Sequence, residues 1–97
     1  MKIIGGRRGC GKTTELIKKS HENWTYIICA DKNRQRYIAD AAREMDLDIP
    51  HPITISELPL SSPKIGRVLV DDIEDVIGKI IGKPIELAST SFTLEAR

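Results

Sequence analysis

Aromatic residues are scarce in this chain: one Phe, one Trp and two Tyr among 97 residues. An aromatic core is therefore excluded, and the interior must be aliphatic, drawn from Ile, Val, Leu and Ala. Cysteine is equally sparse. Cys10 and Cys29 do not make the disulfide framework of a small secreted domain. Apolar runs are short, none approaching a membrane span, so no membrane association is expected. The start carries one Lys and then a glycine-rich segment, without an apolar leader region or a small-residue cleavage site. A cytoplasmic location is expected. Charge of one sign is also lacking: the net charge is +1, which argues against a protein-wide basic field for nucleic acid but leaves room for a local patch. His21 and His51 have no metal-ligand spacing, and neither a Cys/His cluster nor Ser-His-Asp chemistry has positional support. With no repeat, low-complexity tract or long linker, residues 1–97 are expected to form a single domain. At this size a domain buries roughly 65% of its unfolded surface, enough to fold with a modest margin.

What the chain does have stands near its start. Residues 6–13 read Gly-Arg-Arg-Gly-Cys-Gly-Lys-Thr, a complete G-x-x-x-x-G-K-[ST] pattern. It follows the apolar pair Ile3 and Ile4 and precedes a helix-like run from Glu15 to Lys19. Glycines at 6, 9 and 11 let successive backbone N–H groups turn inward as a nest for phosphate oxygens. A helix opening at about Gly11 adds its unpaired N–H groups and the positive end of its dipole. Lys12 can reach the β- and γ-phosphates, and the Thr13 hydroxyl can hold Mg²⁺. The segment Gly6, Arg7, Arg8, Gly9, Cys10, Gly11, Lys12, Thr13 and Thr14 is the expected nucleotide-binding stretch. The alternative is a glycine-rich turn before an ordinary helix.

A phosphate loop needs a metal partner, because Mg²⁺ demands near-octahedral oxygen ligands. Arg67-Val68-Leu69-Val70-Asp71-Asp72 supplies a candidate. Three successive apolar residues predict a buried strand, and Asp71 emerges at its carboxyl end, where ligands bind in parallel α/β sheets.

The two motifs resemble Walker A and Walker B of the P-loop NTPase superfamily. The chain looks like a stripped-down RecA-like core of the helicase or terminase type, with a phage or mobile-element flavour and, on that basis, a host-cytoplasmic setting. The resemblance implies a three-layer α/β fold whose mostly parallel sheet of about five strands runs in the order 5-1-4-3-2, the Asp71 strand beside strand one. It implies Mg²⁺ with ATP, Asp71 holding the water shell of the metal, and Asp72 as catalytic base. The base is usually Glu in this branch. Asp72 is one methylene shorter, and a 1 Å misplacement can cost about 10²-fold in rate, so Glu74 is a substitute. Otherwise Asp72, Glu74 and Asp75 form an acidic helix start. Terminase-type ATPases often carry an arginine within Walker A, so Arg7 or Arg8 is expected to stabilise transition-state charge in cis.

The remaining elements follow from period and punctuation. Thr25–Cys29 reads as a strand, about Asn33 to Met45 as a helix, Ile53–Ile55 as a short strand, and Ile73 to Ile81 as a helix ended by Gly82 and Pro84. Ile85–Ala88 is expected to be the last strand, followed by Ser89 and Thr90 as hydroxyls that sense the γ-phosphate; a plain strand-end turn is the alternative. The link Glu57–Gly66 is short for a parallel crossover, so it must be extended or strand three must sit elsewhere. Arg34, Arg36 and Arg43 suit either a nucleic-acid face or the solvated side of an amphipathic helix. Cys10 and Cys29 are expected to be a tolerated small residue and an inert strand-end residue.

Asp31-Lys32-Asn33 has the letters of a guanine-reading motif in the wrong order, which favours ATP over GTP. Without a second RecA-like domain, the chain is expected to work with a nucleic-acid or protein partner or as a homo-oligomer. The expected function is ATP binding with Mg²⁺-dependent hydrolysis. The rivals are a non-catalytic nucleotide-binding regulatory module, and a nucleic-acid-binding protein with a vestigial loop.

Overall fold

Ile27, Ile28 and Cys29 are apolar in succession, so a strand made of them must be covered on both faces. In the computed structural model, which describes residues 1–6 and 11–96, these residues form β2 (Ile27–Cys29), and all three are buried. Their alternation divides the core. Ile27 and Cys29 pack with Ile17, Ile38 and Ala42 from α1 (Lys12–Asn23) and α2 (Lys32–Glu44). Ile28, with Ala30, packs on the other face with Val76 of α3 (Ile73–Ile81). The sheet is thus a layer between helices.

Two short strands flank β2, both parallel to it: β3 (Ile53–Thr54) on one side and β4 (Leu69–Val70) on the other. The expected adjacency of the third and fourth strands is therefore not formed. The physical reason is burial: β2 is apolar on both faces and takes the central place, while β3 pairs over only Ile53 and Thr54. The chain leaves β3 through a 3₁₀ turn at Ile55–Glu57, where the Thr54 N–H donates to Glu57 Oε2 at 3.0 Å, and returns across β2 to β4 without an α-helix.

A second ladder joins β1 (Ile3–Gly5) in parallel to β5 (Leu94–Ala96). The neighbourhood of the first and last strands is as expected, but the last strand is not Ile85–Ala88. Leu87 is 91% exposed, and the alternation of Ile85 to Ala88 finds no ladder among the described residues. The described residues therefore form a small α/β fold with parallel strands in two short sheets; the single five-stranded order 5-1-4-3-2 is not formed among them.

Helix ends follow local chemistry. Asp31 caps α2, its carboxylate accepting the Arg34 N–H at 2.9 Å. α3 ends at Gly82, whose φ of 82° is accessible to glycine at little cost and whose N–H donates to the Gly78 carbonyl at 2.8 Å. Val76 is the buried residue of α3, while Ile77, Ile80 and Ile81 are exposed. None of the helices is long and apolar enough to cross a membrane among the described residues.

Packing at β2 and exposure along α3 make opposite predictions for two isoleucines. Ile27→Ala is expected to cost about 2–5 kcal/mol in urea unfolding. Ile81→Ala is expected to stay within about 0.5 kcal/mol.

Candidate functional site

The carboxyl ends of β2 and β4 and the amino end of α1 meet in one place. α1 begins after Gly11, whose φ of 88° favours glycine, and no side chain among the described residues caps it. Lys12, on the first turn, folds back so that its Nζ donates to the carbonyl of Gly6, itself at a φ of 146°. Thr13 is half-buried beside it and Thr14 is exposed. Arg7, Arg8, Gly9 and Cys10 lie outside the described residues, as does Arg97.

Asp71 follows β4 and stays on the sheet, its N–H donating to the Ile28 carbonyl at 2.8 Å. It is 3% exposed. A carboxylate removed from water to that degree requires a cation and hydrogen bonds. Arg34 meets both needs: its Nε donates to Asp71 Oδ2 at 2.6 Å and its Nη2 to Oδ1 at 3.2 Å. The same Nη2 donates to Thr13 Oγ1 at 3.0 Å. One guanidinium therefore bridges α1 and the end of β4 from the first turn of α2. Its other neighbour is Tyr37, whose ring centroid lies 4.5 Å from the guanidinium carbon. The hydrogen bond to Asp71 raises the Arg34 pKa above its ordinary value, so its charge is permanent.

Asp31 fixes the base of this arm. Its pKa is lowered, first by the hydrogen bond from the Arg34 backbone and then by Lys79, whose Nζ stands 3.3 Å from Asp31 Oδ2. That lowering stabilises the fold above the ordinary carboxylate range and is lost as the pH falls through the lowered value. α3, α2, α1 and β4 are thus linked through Lys79, Asp31, Arg34, Thr13 and Asp71.

The other expected residues lie in various settings. Asp72 is exposed, sits at a φ of 53°, and caps α3, its Oδ1 accepting the Asp75 N–H at 3.4 Å. Ser89 and Thr90 are exposed and precede the last strand instead of following it; Thr90 Oγ1 accepts the Phe92 N–H at 3.1 Å. Arg43 pairs with Asp40 at 3.1 Å on the outer face of α2, and Arg36 is exposed. Arg34 is the site residue whose contacts with Asp71 and Thr13 sequence reasoning missed. The available signal was an arginine three residues after the helix-capping Asp31, at the carboxyl end of the central strand.

Could the site hold Mg²⁺? Thr13 Oγ1 and an Asp71 carboxylate oxygen both contact one cationic NH₂ group, so they bracket a point where a small cation has oxygen on two sides. The residues fit a cation with one direct and one water-mediated protein contact and its remaining positions open. No group of three or more His, Cys, Asp or Glu capable of holding a metal occurs among the described residues. A shallow groove along α3 is lined by Asp72, Glu74, Asp75 and Ile85 together with Lys79 and Lys83. Its three carboxylates outnumber its two lysines, which does not favour a triphosphate.

No family model, curated protein or solved structure matches this chain.

Two results are expected. Arg34→Ala will lower stability by about 3 kcal/mol in urea unfolding, the low end for a buried pair because the guanidinium is partly exposed; adding Asp71→Asn will recover much of that loss. Burial, with Asp71 and Asp31 nearby, pushes the Cys29 thiol up to about 11. Cys29 will therefore resist alkylation at pH 8 in the native protein and react on unfolding.

Proposed function

We propose that this chain is a minimal ATP-binding protein of the P-loop NTPase type that hydrolyses ATP with Mg²⁺. The observation that carries the reading is the convergence of Thr13 and the buried Asp71 on one cationic group beside the uncapped start of α1. A buried acid at the end of a parallel strand, next to a helix N-terminus and a lysine, is the chemistry a Mg²⁺-triphosphate needs.

In this reading, the N–H groups at the start of α1 bind phosphate oxygens and Lys12 leaves the Gly6 carbonyl for the β- and γ-phosphates. Thr13 and Asp71 hold the metal side, directly and through water. A Mg²⁺ held there would supply charge neutralisation for the phosphates. Arg7 and Arg8 act in cis on the developing negative charge. Asp72 orients the attacking water and accepts its proton. That role competes with its cap on α3, and an exposed carboxylate one methylene short favours slow turnover.

The same features of Asp72 support a second reading, a nucleotide-binding module that regulates a partner without turnover. Phosphate release separates the two. Asp72→Asn preserves the cap, since Asn caps as well as Asp, while removing the base. A catalytic Asp72 gives a loss of about 10²-fold or more in release at unchanged ATP affinity; ATP binding with wild-type release no faster than the protein-free background favours the module.

Binding itself has a simple test. At about 100 times Kd, Mg²⁺-ATP stabilises the folded state by about 2.7 kcal/mol. For a domain this size that raises Tm by about 10–20 °C. Lys12→Ala is expected to remove about half or more of the shift, weakening affinity by about 10–100-fold through one lost charged hydrogen-bond donor. GTP in place of ATP tests the adenine preference. An unshifted wild-type Tm at millimolar Mg²⁺-ATP overturns the proposal.

A further inference from the structure

Arg34 occupies the space that the nucleotide reading gives to the metal, and the inference below rests on that reading. Its Nη2 lies 3.0 Å from Thr13 Oγ1 and 3.2 Å from Asp71 Oδ1, while Nε lies 2.6 Å from Asp71 Oδ2. Both Asp71 oxygens and the Thr13 hydroxyl are thus engaged by one guanidinium. A divalent cation and a guanidinium at hydrogen-bond range of the same oxygens repel each other. The two must alternate.

The arm is built to move without dismantling the fold. Asp31 holds the Arg34 backbone at the first turn of α2, so displacement needs only side-chain rotation. Tyr37 lies on the outward side, 54% exposed, with its ring already against the guanidinium. A guanidinium released from Asp71 keeps that stacking partner and gains water.

We infer that Arg34 is a resident cation that exchanges with Mg²⁺. It closes the Thr13–Asp71 pair while nucleotide is absent, neutralising the buried carboxylate, and swings outward when Mg²⁺-nucleotide binds. Arg34 is in this sense a positioning and gating residue. The exchange lowers apparent affinity for Mg²⁺-nucleotide by the free energy needed to open the pair, and it reports the nucleotide state on the exposed face of α2.

The test uses the full wild-type chain, with ¹⁵N-arginine NMR of the Arg34 Nε–H. In the free protein this proton donates to a carboxylate, so its resonance is shifted downfield and exchanges slowly. Adding Mg²⁺-ADP moves it to the position and exchange rate of a solvated arginine, whereas ADP in EDTA leaves it in place. Alongside, Arg34→Gln raises the ratio of ADP affinity in Mg²⁺ to that in EDTA about tenfold over wild type by calorimetry. Arg34→Lys, which keeps the charge and loses the fork, gives an intermediate ratio and serves if the Gln variant is too unstable. An unmoved Arg34 signal while calorimetry registers Mg²⁺-ADP binding overturns the exchange and leaves the nucleotide reading intact. Equal loss of affinity with and without Mg²⁺ in Arg34→Gln overturns it too, since Arg34 is then a phosphate ligand. Absence of any ADP binding to wild type overturns the nucleotide reading and the exchange with it.

Discussion

A carboxylate buried at the end of a strand must be neutralised, and the rest of this structure is arranged around how that is done. Asp71 is held on the sheet by its backbone bond to Ile28, and its side chain is buried. The cation has to come to it. Arg34 arrives from α2, and in reaching Asp71 it also engages Thr13 on α1. Breaking such a pair costs more than forming it gains, because the orphaned charge stays buried. The pair therefore acts less as a source of stability than as a constraint on which elements must be adjacent.

That constraint explains why so short a sheet can organise a site. β3 and β4 each contribute only two paired residues, yet all three strands of this sheet run parallel and deliver their carboxyl ends to one edge. β2 fixes the layer by being apolar on both faces. Its C-terminal extension leads through Ala30 to Asp31, which caps α2 and so sets the origin of the Arg34 arm. On the far face, Lys79 ties α3 to the same Asp31. A single continuous set of polar contacts thus spans both helical layers at the edge where α/β folds bind ligands.

Much of this was legible in the sequence, for identifiable reasons. The α3 helix is read from Ile73 to Ile81 because a capping acid and a terminal Gly82 mark both ends. β2 and the β4 segment are read because short apolar runs have few other solutions in a small aliphatic domain, but the burial expected for Val68–Val70 is not found: Val68 is exposed and Leu69 and Val70 are half-buried. The last strand was misread because Ile85–Ala88 and Leu94–Ala96 are both short, and strand pairing is decided by the partner β1, which no local pattern encodes. Strand order was misread likewise: Ile53 to Ile55 looks as strand-like as its neighbours, and only its ladder with β2 shows where it belongs. At the site, Lys12, Thr13 and Asp71 are read from motif chemistry. Arg34 is not, because the helical period places it among solvated arginines, and its inward course depends on a tertiary contact 37 residues away.

The central claim is that the start of α1 and the Thr13–Asp71 pair receive the phosphates of a Mg²⁺-nucleotide. The most direct measurement is an amide ¹H–¹⁵N NMR titration of the full chain with Mg²⁺ and a non-hydrolysable ATP analogue. The account predicts large, saturable shifts at Gly11, Lys12, Thr13 and Thr14, with smaller ones at Asp71 and none at the exposed end of α3 near Ile81. Shifts concentrated elsewhere, or none at saturating nucleotide, would contradict it.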